Sequence, residues 1–349
     1  MKISVLLPYK ENFSTQYAGA VSLFLKDTIN LSEYKNNIKV FGSTNYKKDI
    51  LINNYININT DKFFFQSRSN VYVKNFITYE NKIKSDLIEI HNRPNYINKI
   101  FTVNKNLVLY FHNDPLEIKG SKSIKDRINL LNKTKKIIFI SNWVKKRFLK
   151  GINKNNISKK HFEIIQHSTN KKKISLNKKQ NLIIFVGRLN KSKGYDIFGK
   201  AIINILNNYP NWKSIVIGDE LREKITFKHK KLKILGFQKH NTVSSCFIKS
   251  DICVVSSRWD EPFGRTALEA SSAGCAVIIT NKGGLPEASP KALIINNLNV
   301  KNLENALIKL IKNTKFKKAL QKKILSNFYL TNKFISKKID KYRNALIKS

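Results

Sequence analysis

The chain has little cysteine, few acidic residues and no long apolar run. Its 349 residues include three cysteines, and 23 Asp and Glu stand against 65 Lys and Arg, a net charge of +42. The three cysteines, Cys246, Cys253 and Cys275, lack C-x-x-C spacing, so no disulfide framework or zinc site is predicted. We expect reduced thiols, buried at Cys253 and Cys275. The six histidines form no H-E-x-x-H pattern, and no metal or other cofactor is expected.

The apolar residues lie in short segments along the whole chain. None approaches the ~20 residues needed to span a bilayer, and the first ten residues are more typical of a β-strand than of a signal peptide. Apolar residues at 42% and aromatics at 11% exclude a largely disordered chain. At roughly 100–200 residues per domain, the length indicates about two domains. We therefore expect a soluble, intracellular protein of two domains.

The excess of positive charge is compatible with several kinds of partner. Nine of the 65 basic residues are Arg, and the lysines occur with Asn and Ile in every segment, as an A/T-rich genome would produce. Because phosphate-reading proteins favour Arg and no nucleic-acid-binding motif is present, a dedicated nucleic-acid partner is disfavoured. An anionic membrane surface stays open, since residues 145–150 mix basic and apolar side chains.

Apolar runs alternate with helix-like segments in both halves. The strands are predicted at Ile3–Leu7, Ile38–Phe41, Asp86–Ile90, Leu107–Phe111, Lys136–Ile140, Leu182–Val186, Ser214–Ile217, Lys231–Leu235, Ile252–Val255 and Cys275–Ile279. The helices are predicted near 19–30, 71–84, 121–132, 142–150, 194–207, 240–249 and 264–273. Continuous Val/Ile/Leu strands indicate parallel sheets covered by helices on both faces. Two such series in succession predict an α/β protein with two Rossmann-like domains.

The polar, lysine-rich run Asn170–Gln180 separates the two series. We predict an N-terminal domain over residues 1–170 and a C-terminal domain over 171–331. The helical end of the chain, 315–349, has a break near Thr331, and we expect 332–349 to pack back on the first domain. Two such domains facing each other would leave a cleft at the carboxyl ends of their strands, where these folds bind ligands.

Two strand-to-helix turns in the second half carry charged residues suited to a phosphorylated ligand. Residues 260–270 follow a strand, and the helix that begins near Gly264 would direct free N–H groups at an anion, with Glu261 and Glu269 at different depths. The upstream turn 187–194 contains Arg188, whose guanidinium can donate two parallel hydrogen bonds, and Lys193, whose ammonium is a point charge. This combination suits a diphosphate. Neither a Walker lysine motif nor G-x-G-x-x-G after the first strand is present.

Together these segments resemble the signature of the family 4 (group 1) glycosyltransferases, retaining enzymes of the GT-B fold. The resemblance lies in Glu261-Pro262-Phe263-Gly264, Ala267-Leu268-Glu269-Ala270, Gly274, Gly283-Gly284-Leu285-Pro286-Glu287, Gly187-Arg188-Leu189 and Lys193-Gly194. It implies GT-B architecture and a nucleotide-diphosphate sugar donor. It also implies that the phosphates are held without a metal.

The resemblance further implies a role for each matching residue. The donor-binding set is Arg188 and Lys193 for the diphosphate, Glu269 for the ribose, the backbone near Phe263 and Gly264 for the sugar, Phe237 beside the base and Gly19 near the diphosphate. Glu261 would face and support the donor sugar, so it is one of the two predicted catalytic residues. Arg265 and Thr266 stand where apolar residues are more usual, and Ala20 stands where a second glycine is usual, so local donor contacts are expected to differ.

His112 is the second predicted catalytic residue. His91-Asn92 and His112-Asn113 each follow a predicted strand, so both imidazoles could face the cleft. Family members often carry a histidine that contacts the sugar or assists transfer, and His112 matches that place better than His91. The Asn113-Asp114 context is expected to orient its ring.

The sequence predicts a retaining hexosyltransferase that acts on a glycan or lipid-linked acceptor in surface-glycan synthesis. We expect it in the cytoplasm, with the inner face of the membrane as a further location. One alternative is a catalytically inactive GT-B protein that binds an anionic membrane or polyanion, although the intact set of charged residues argues against loss of activity. A phosphorylase-like GT-B enzyme is disfavoured, because no lysine-bearing cofactor motif of that class is recognisable.

Overall fold

A computed structural model of the chain describes residues 1–46, 48–61, 67–153, 158 and 161–347. The chain divides into two compact units, the first formed by residues 1–168 with 332–349 and the second by residues 169–331. Each unit is built on one parallel sheet with helices. Among the described helices, none combines the length and the apolar character that crossing a membrane requires.

The first unit contains a seven-stranded sheet in the order β3-β2-β1-β4-β5-β6-β7, with parallel neighbours throughout. Its strands are β1 (Ile3–Leu6), β2 (Ile38–Gly42), β3 (Tyr55–Asn57), β4 (Leu87–His91), β5 (Leu107–Phe111), β6 (Lys136–Phe139) and β7 (Phe162–Ile164). Its helices are α1 (Ala20–Ile29), α2 (Arg68–Ile83), α3 (Ile97–Ile100), α4 (Ile124–Lys133), α5 (Asn142–Phe148) and α12 (Asn332–Ile347). The central strands β1, β4 and β5 are buried along their whole length, because helices cover both faces of the sheet.

The second unit contains a six-stranded parallel sheet in the order β10-β9-β8-β11-β12-β13. Its strands are β8 (Gln180–Val186), β9 (Lys213–Ile217), β10 (Leu232–Ile234), β11 (Ser250–Val255), β12 (Ala276–Thr280) and β13 (Leu293–Ile295). Its helices are α6 (Tyr195–Asn208), α7 (His240–Lys249), α8 (Arg265–Ser272), α9 (Leu285–Ala288), α10 (Val300–Lys312) and α11 (Thr314–Ser326). The strand order reverses between β8 and β11, which is the position where doubly wound sheets bind ligands at their carboxyl ends.

Helix α12 returns the end of the chain to the first unit. Arg343 donates two hydrogen bonds of 2.8 Å to the carboxylate of Glu89 on β4, and both side chains are almost fully buried. Ser336 donates to the carbonyl of Thr28 at 2.9 Å, and Asp340 accepts from Ser32 at 2.6 Å. These contacts attach α12 to α1 and to the central strand of the sheet.

The predicted strands and helices are all present, with ends that differ by a few residues. Six of the labelled elements were not predicted from the sequence: β3, β7, β13, α3, α9 and α10. Cys253 and Cys275 are buried with free thiols, as predicted.

Candidate functional site

The turn between β8 and α6 positions the first two predicted cations. Arg188 is exposed, and it has no hydrogen bond or ion pair within the described part of the chain. Asn190 accepts a hydrogen bond of 3.1 Å from the backbone N–H of Lys193 and so holds the turn. Gly194 has φ of +69°, and a Cβ there would lie 1.9 Å from the carbonyl oxygen of Ser256. Only glycine therefore lets this turn approach the end of β11 so closely.

Lys193 and Glu261 meet at the switch point of the sheet. The Lys193 ammonium donates to the Glu261 carboxylate, and their side chains are 19% and 10% exposed. The same ammonium lies 4.8 Å from the centre of the Trp259 ring, a cation–π contact. The Glu261 carbonyl accepts from the N–H of Gly284 at 2.6 Å. The downstream glycine turn therefore supports the backbone of Glu261.

Helix α8 begins at Gly264 without a side-chain cap and without an acidic residue in its first turn. The first N–H groups of such a helix lack intrahelical partners and form a favourable position for an anion. The Phe263 side chain is buried, so only its backbone is available for the sugar contact that the resemblance implies.

Glu269 lies one turn further along α8 and is held by two basic side chains. Its Oε1 accepts from Arg265 Nε at 2.7 Å and from His240 Nε2 at 3.1 Å. Burial raises the pKa of the Glu269 carboxyl, but the Arg265 charge and the hydrogen bond from His240 outweigh burial and leave that pKa below its ordinary value. Glu269 Oε2 has no hydrogen-bond partner in the part of the chain that the structure describes. The carboxylate is thus ionised, and its Oε2 is not engaged by a described residue.

Lys193, Glu261 and the start of α8 border a cavity of about 180 Å³. It is lined by Phe185, Val186, Gly187, Lys193, Val255, Ser256, Ser257, Glu261, Gly264, Arg265 and Thr266. Among the predicted donor-binding and catalytic residues, the lining contains Lys193, Glu261 and Gly264, and Arg188 directly follows the lining residue Gly187. Phe237 lies outside the lining, more than half exposed on the turn between β10 and α7.

In the first unit, the predicted residue His112 belongs to a row of three buried imidazoles. Its Nε2 lies 2.9 Å from Nδ1 of His91, and its Nδ1 lies 3.1 Å from Nε2 of His167. Asn92, in the left-handed region with φ of 57°, accepts from the backbone N–H of His112 at 3.2 Å. Contrary to the expectation from the sequence, Asp114 does not contact the His112 imidazole. It accepts instead from Arg147 at 2.7 Å.

Gly19 precedes α1 as predicted, and a glutamate lies against it. The Glu11 carboxylate accepts from the hydroxyl of Ser22 in the first turn of α1 at 3.0 Å, and a Cβ at Gly19 would lie 2.5 Å from Glu11 Oε1. Burial raises the pKa of the Glu11 carboxyl above its ordinary value, although the hydrogen bonds from Ser22 oppose that effect. Here the glycine makes room for a carboxylate of the chain itself.

Three residues of these sites, His167, His240 and Glu11, were not predicted from the sequence. His240 begins α7, three residues after Phe237, so its place beside the predicted base-binding turn was a usable signal. His167 lies 55 residues from His112 along the chain, and it follows a short edge strand that the apolar pattern does not reveal.

The fold of both units defines the class of the protein. The structure resembles that of Anabaena Alr3699/HepE in complex with UDP and glucose, with a TM-score of 0.74 and 17% identity over 99% of this chain and 100% of that chain. The class is thus the two-domain GT-B fold, which confirms the predicted fold class. Residues 166–325, which lie almost entirely in the second unit, match the family model described as glycosyl transferases group 1.

Curated relatives match parts of the chain. Spore coat protein SA of Bacillus subtilis is 31% identical over 121 residues, which are 31% of this chain and 32% of that protein. Lipopolysaccharide core biosynthesis mannosyltransferase LpsB of Rhizobium meliloti is 30% identical over 127 residues, 34% of this chain and 36% of its own length. The matched region therefore spans about a third of the length of these relatives.

Proposed function

We propose that this chain transfers a hexose-type sugar from a nucleotide diphosphate to an acceptor, with the donor nucleotide bound by the second unit. The observation that carries the proposal is the cavity at the switch point, which combines Lys193, the uncapped start of α8 and Glu261 in one place. Arg188 adjoins it as an exposed guanidinium. The UDP-glucose named for a HepE structure supports a UDP-sugar as the first donor to test.

Each part of the donor would meet a suitable group. The diphosphate would replace Glu261 as the ionic partner of Lys193. It would also bind Arg188 and the first N–H groups of α8. Glu269 would accept from the ribose through Oε2, while Phe237 would lie beside the base. Backbone groups at Phe263 and Gly264 would contact the sugar, and Gly19 would approach the diphosphate from the first unit.

The reaction we propose is a same-face substitution with retention, of the family 4 type. The bond between the anomeric carbon and the phosphate oxygen breaks as the acceptor hydroxyl oxygen bonds to the same face of the sugar. The departing phosphate accepts the acceptor proton. Its growing negative charge is stabilised by the fixed cations and helix N–H groups, so the side chains supply the stabilisation that a metal gives elsewhere. Glu261, released from Lys193, would support the positive charge that develops on the sugar, and His112 would assist.

We further propose that the acceptor is a glycan or lipid-linked sugar in surface-glycan synthesis, in the cytoplasm at the inner face of the membrane. The name of the LpsB relative supports such a pathway, and the net charge of +42 supports attraction to anionic lipid. The alternative is an inactive GT-B protein that binds an anionic surface.

The test is a donor panel of UDP-, GDP- and ADP-hexoses given to the full chain together with a lipid-linked sugar acceptor, with and without EDTA, with products followed by ¹H NMR. The proposal expects consumption of one donor, without need of a divalent metal, and a product with the anomeric configuration of the donor. Glu261→Gln should lower turnover, whereas the matched change at exposed Glu117 should not. An inverted product would refute retention. Failure to turn over any donor, together with salt-sensitive lipid binding, would favour the inactive alternative.

A further inference from the structure

The turn that carries Lys193 is held by the segment that follows β11. Residues 256–259, here called the bracing segment, donate hydrogen bonds to backbone carbonyls of that turn. The N–H groups of Arg258 and Trp259 both donate to the carbonyl of Ser192, at 2.9 and 3.1 Å. Because two adjacent N–H groups bind one carbonyl, the turn keeps a fixed position against the bracing segment.

The side chain of Arg258 connects the same turn to the start of α6. Its guanidinium donates to both carboxylate oxygens of Asp196, in the first turn of α6, at 2.7 and 2.8 Å. Its Nη1 also donates to the carbonyl of Lys191 at 2.7 Å. A bidentate pair restricts the orientation of both partners, so Arg258 fixes where the turn lies relative to α6.

The ring of Trp259 gives the Lys193 ammonium a second partner besides the Glu261 carboxylate. A diphosphate competes with Glu261 for this ammonium, because both are anions. The face of the indole ring is uncharged and attracts a cation without such competition. A lysine that the ring already holds loses less side-chain freedom when a ligand binds.

The second unit contains another lysine with the same two kinds of partner. Lys317 lies 4.8 Å from the centre of the Trp212 ring and donates to Asp251 at 2.6 Å. Gln321 donates to the same carboxylate at 2.9 Å, and the Lys317 and Asp251 side chains are 6% and 8% exposed. None of these four described residues is among those that line the cavity at the switch point. The two lysines therefore allow a role in the fold to be separated from a role at the cavity.

We propose that Trp259 is a positioning residue for Lys193, and that its ring keeps the ammonium directed at the cavity after a diphosphate has replaced Glu261. Arg258 has the same role for the backbone of the turn. The inference rests on the proposed binding of a nucleoside diphosphate at Lys193. Because Trp259 acts through Lys193, it affects the affinity for the donor only while that lysine is present.

A double-mutant cycle with UDP titration tests this dependence. We expect Trp259→Leu to raise the Kd of UDP by roughly threefold to thirtyfold, the range that a cation–π contact supports. Trp259→Phe keeps an aromatic face and should recover part of the affinity. In a Lys193→Ala chain, which keeps Arg188, the further change Trp259→Leu should leave the Kd unchanged. An equal loss in both backgrounds, or equal losses for the Leu and Phe variants, would overturn the proposal.

Trp212→Leu is the matched control in the same unit. It removes the ring beside Lys317, so it should lower the denaturant midpoint of unfolding and leave the Kd of UDP unchanged. Trp259→Leu should change the Kd far more than the midpoint. The same loss of UDP affinity in both variants would assign the effect of Trp259 to general destabilisation and overturn the proposal.

NMR of Lys193 follows the contact with the ring itself. The ring current of Trp259 should shift the Hε signals of Lys193 upfield in the free chain, and this shift should persist when UDP saturates the site. Loss of the shift on UDP binding would overturn this inference alone, since the nucleotide would still bind. Failure of UDP, GDP and ADP to bind the unaltered chain would overturn the proposed donor site and this inference together.

Discussion

Lys193 and Glu261 neutralise each other within the cavity of the second unit, and this pairing has a measurable consequence for ligands. A diphosphate that binds Lys193 must compete with the Glu261 carboxylate and also meets its negative charge. Glu261→Gln keeps the shape of the side chain and removes the charge. We expect the Kd of UDP, which has no sugar for Glu261 to support, to fall by roughly threefold to tenfold.

Calorimetric titration of UDP into Glu261→Gln checks this expectation, with Glu117→Gln as the control for an exposed carboxylate. Turnover of a sugar donor should fall in the first variant alone. Weaker binding of UDP to Glu261→Gln would mean that Glu261 helps to hold the nucleotide instead of competing with it for Lys193.

Buried neutral histidine makes the stability of the first unit depend on pH. The pKa of His91 is about 3 in the folded chain, against an ordinary value of 6.5. The unfolded chain therefore binds a proton at His91 more strongly than the folded chain does. Above about pH 7 this difference has no effect on the free energy of unfolding, and as the pH falls from 6.5 towards 3 it lowers that free energy progressively. Between pH 7 and pH 5 this loss is about 2 kcal/mol in the free energy of unfolding.

Denaturant unfolding at the two pH values measures the loss. His91→Asn cannot take up that proton, so its stability should fall less than that of the unaltered chain over the same interval. The same fall in both chains would show that other groups cause the acid sensitivity.

The sequence could indicate the site residues that lie on strand-to-helix turns. Lys193 and Glu261 belong to different turns, and they were predicted together because neighbouring parallel strands end at the same edge of the sheet. The proximity of His91 and His112 follows from the same rule. The contact of His240 with Glu269 and that of His167 with His112 depend on side-chain positions in the folded chain, which periodicity does not encode.

The turn between β8 and α6 shows how one element places a functional side chain. Gly194 and Gly236 both have positive φ, at +69° and +65°, but a Cβ at Gly194 would strike the Ser256 carbonyl while nothing lies within 4 Å at Gly236. Gly236→Ala should therefore cost about 1 kcal/mol for its left-handed backbone alone. Gly194→Ala should cost roughly 3 kcal/mol or more and should also displace Lys193.

Unfolding and UDP titration of the two variants separate strain from steric conflict. We expect Gly194→Ala to lose UDP binding and to unfold more easily than Gly236→Ala. Equal stability and equal binding in the two variants would contradict the close approach of this turn to β11.

At the level of elements, the central strands were predictable and the edges were not. The central strand β5 is a continuous apolar run because both of its faces are covered. The missed strands β3, β7 and β13 are edge strands of three residues, too short to stand out as apolar runs, and most of their side chains are partly exposed. Helix α10 was missed although its buried residues Leu303, Leu307 and Leu310 have helical spacing.

For the molecule as a whole, the net charge of +42 predicts an attraction to anionic surfaces that salt should weaken. We expect the chain to sediment with phosphatidylglycerol vesicles at low ionic strength and to dissociate at about 0.5 M salt, where the Debye length is only a few ångströms. Phosphatidylcholine vesicles are the matched control and should bind little. Absence of binding to either kind of vesicle would assign the charge to composition alone.

The central claim is that the second unit binds a nucleoside diphosphate through Arg188 and Lys193, and calorimetry with UDP, GDP and ADP in EDTA tests it most directly. We predict that one of the three binds, and that a double variant with Arg188→Ala and Lys193→Ala abolishes this binding. Lys191→Ala, a change at an exposed lysine of the same turn, should leave it intact. The absence of binding by all three nucleotides, or an undiminished affinity in the double variant, would contradict this claim.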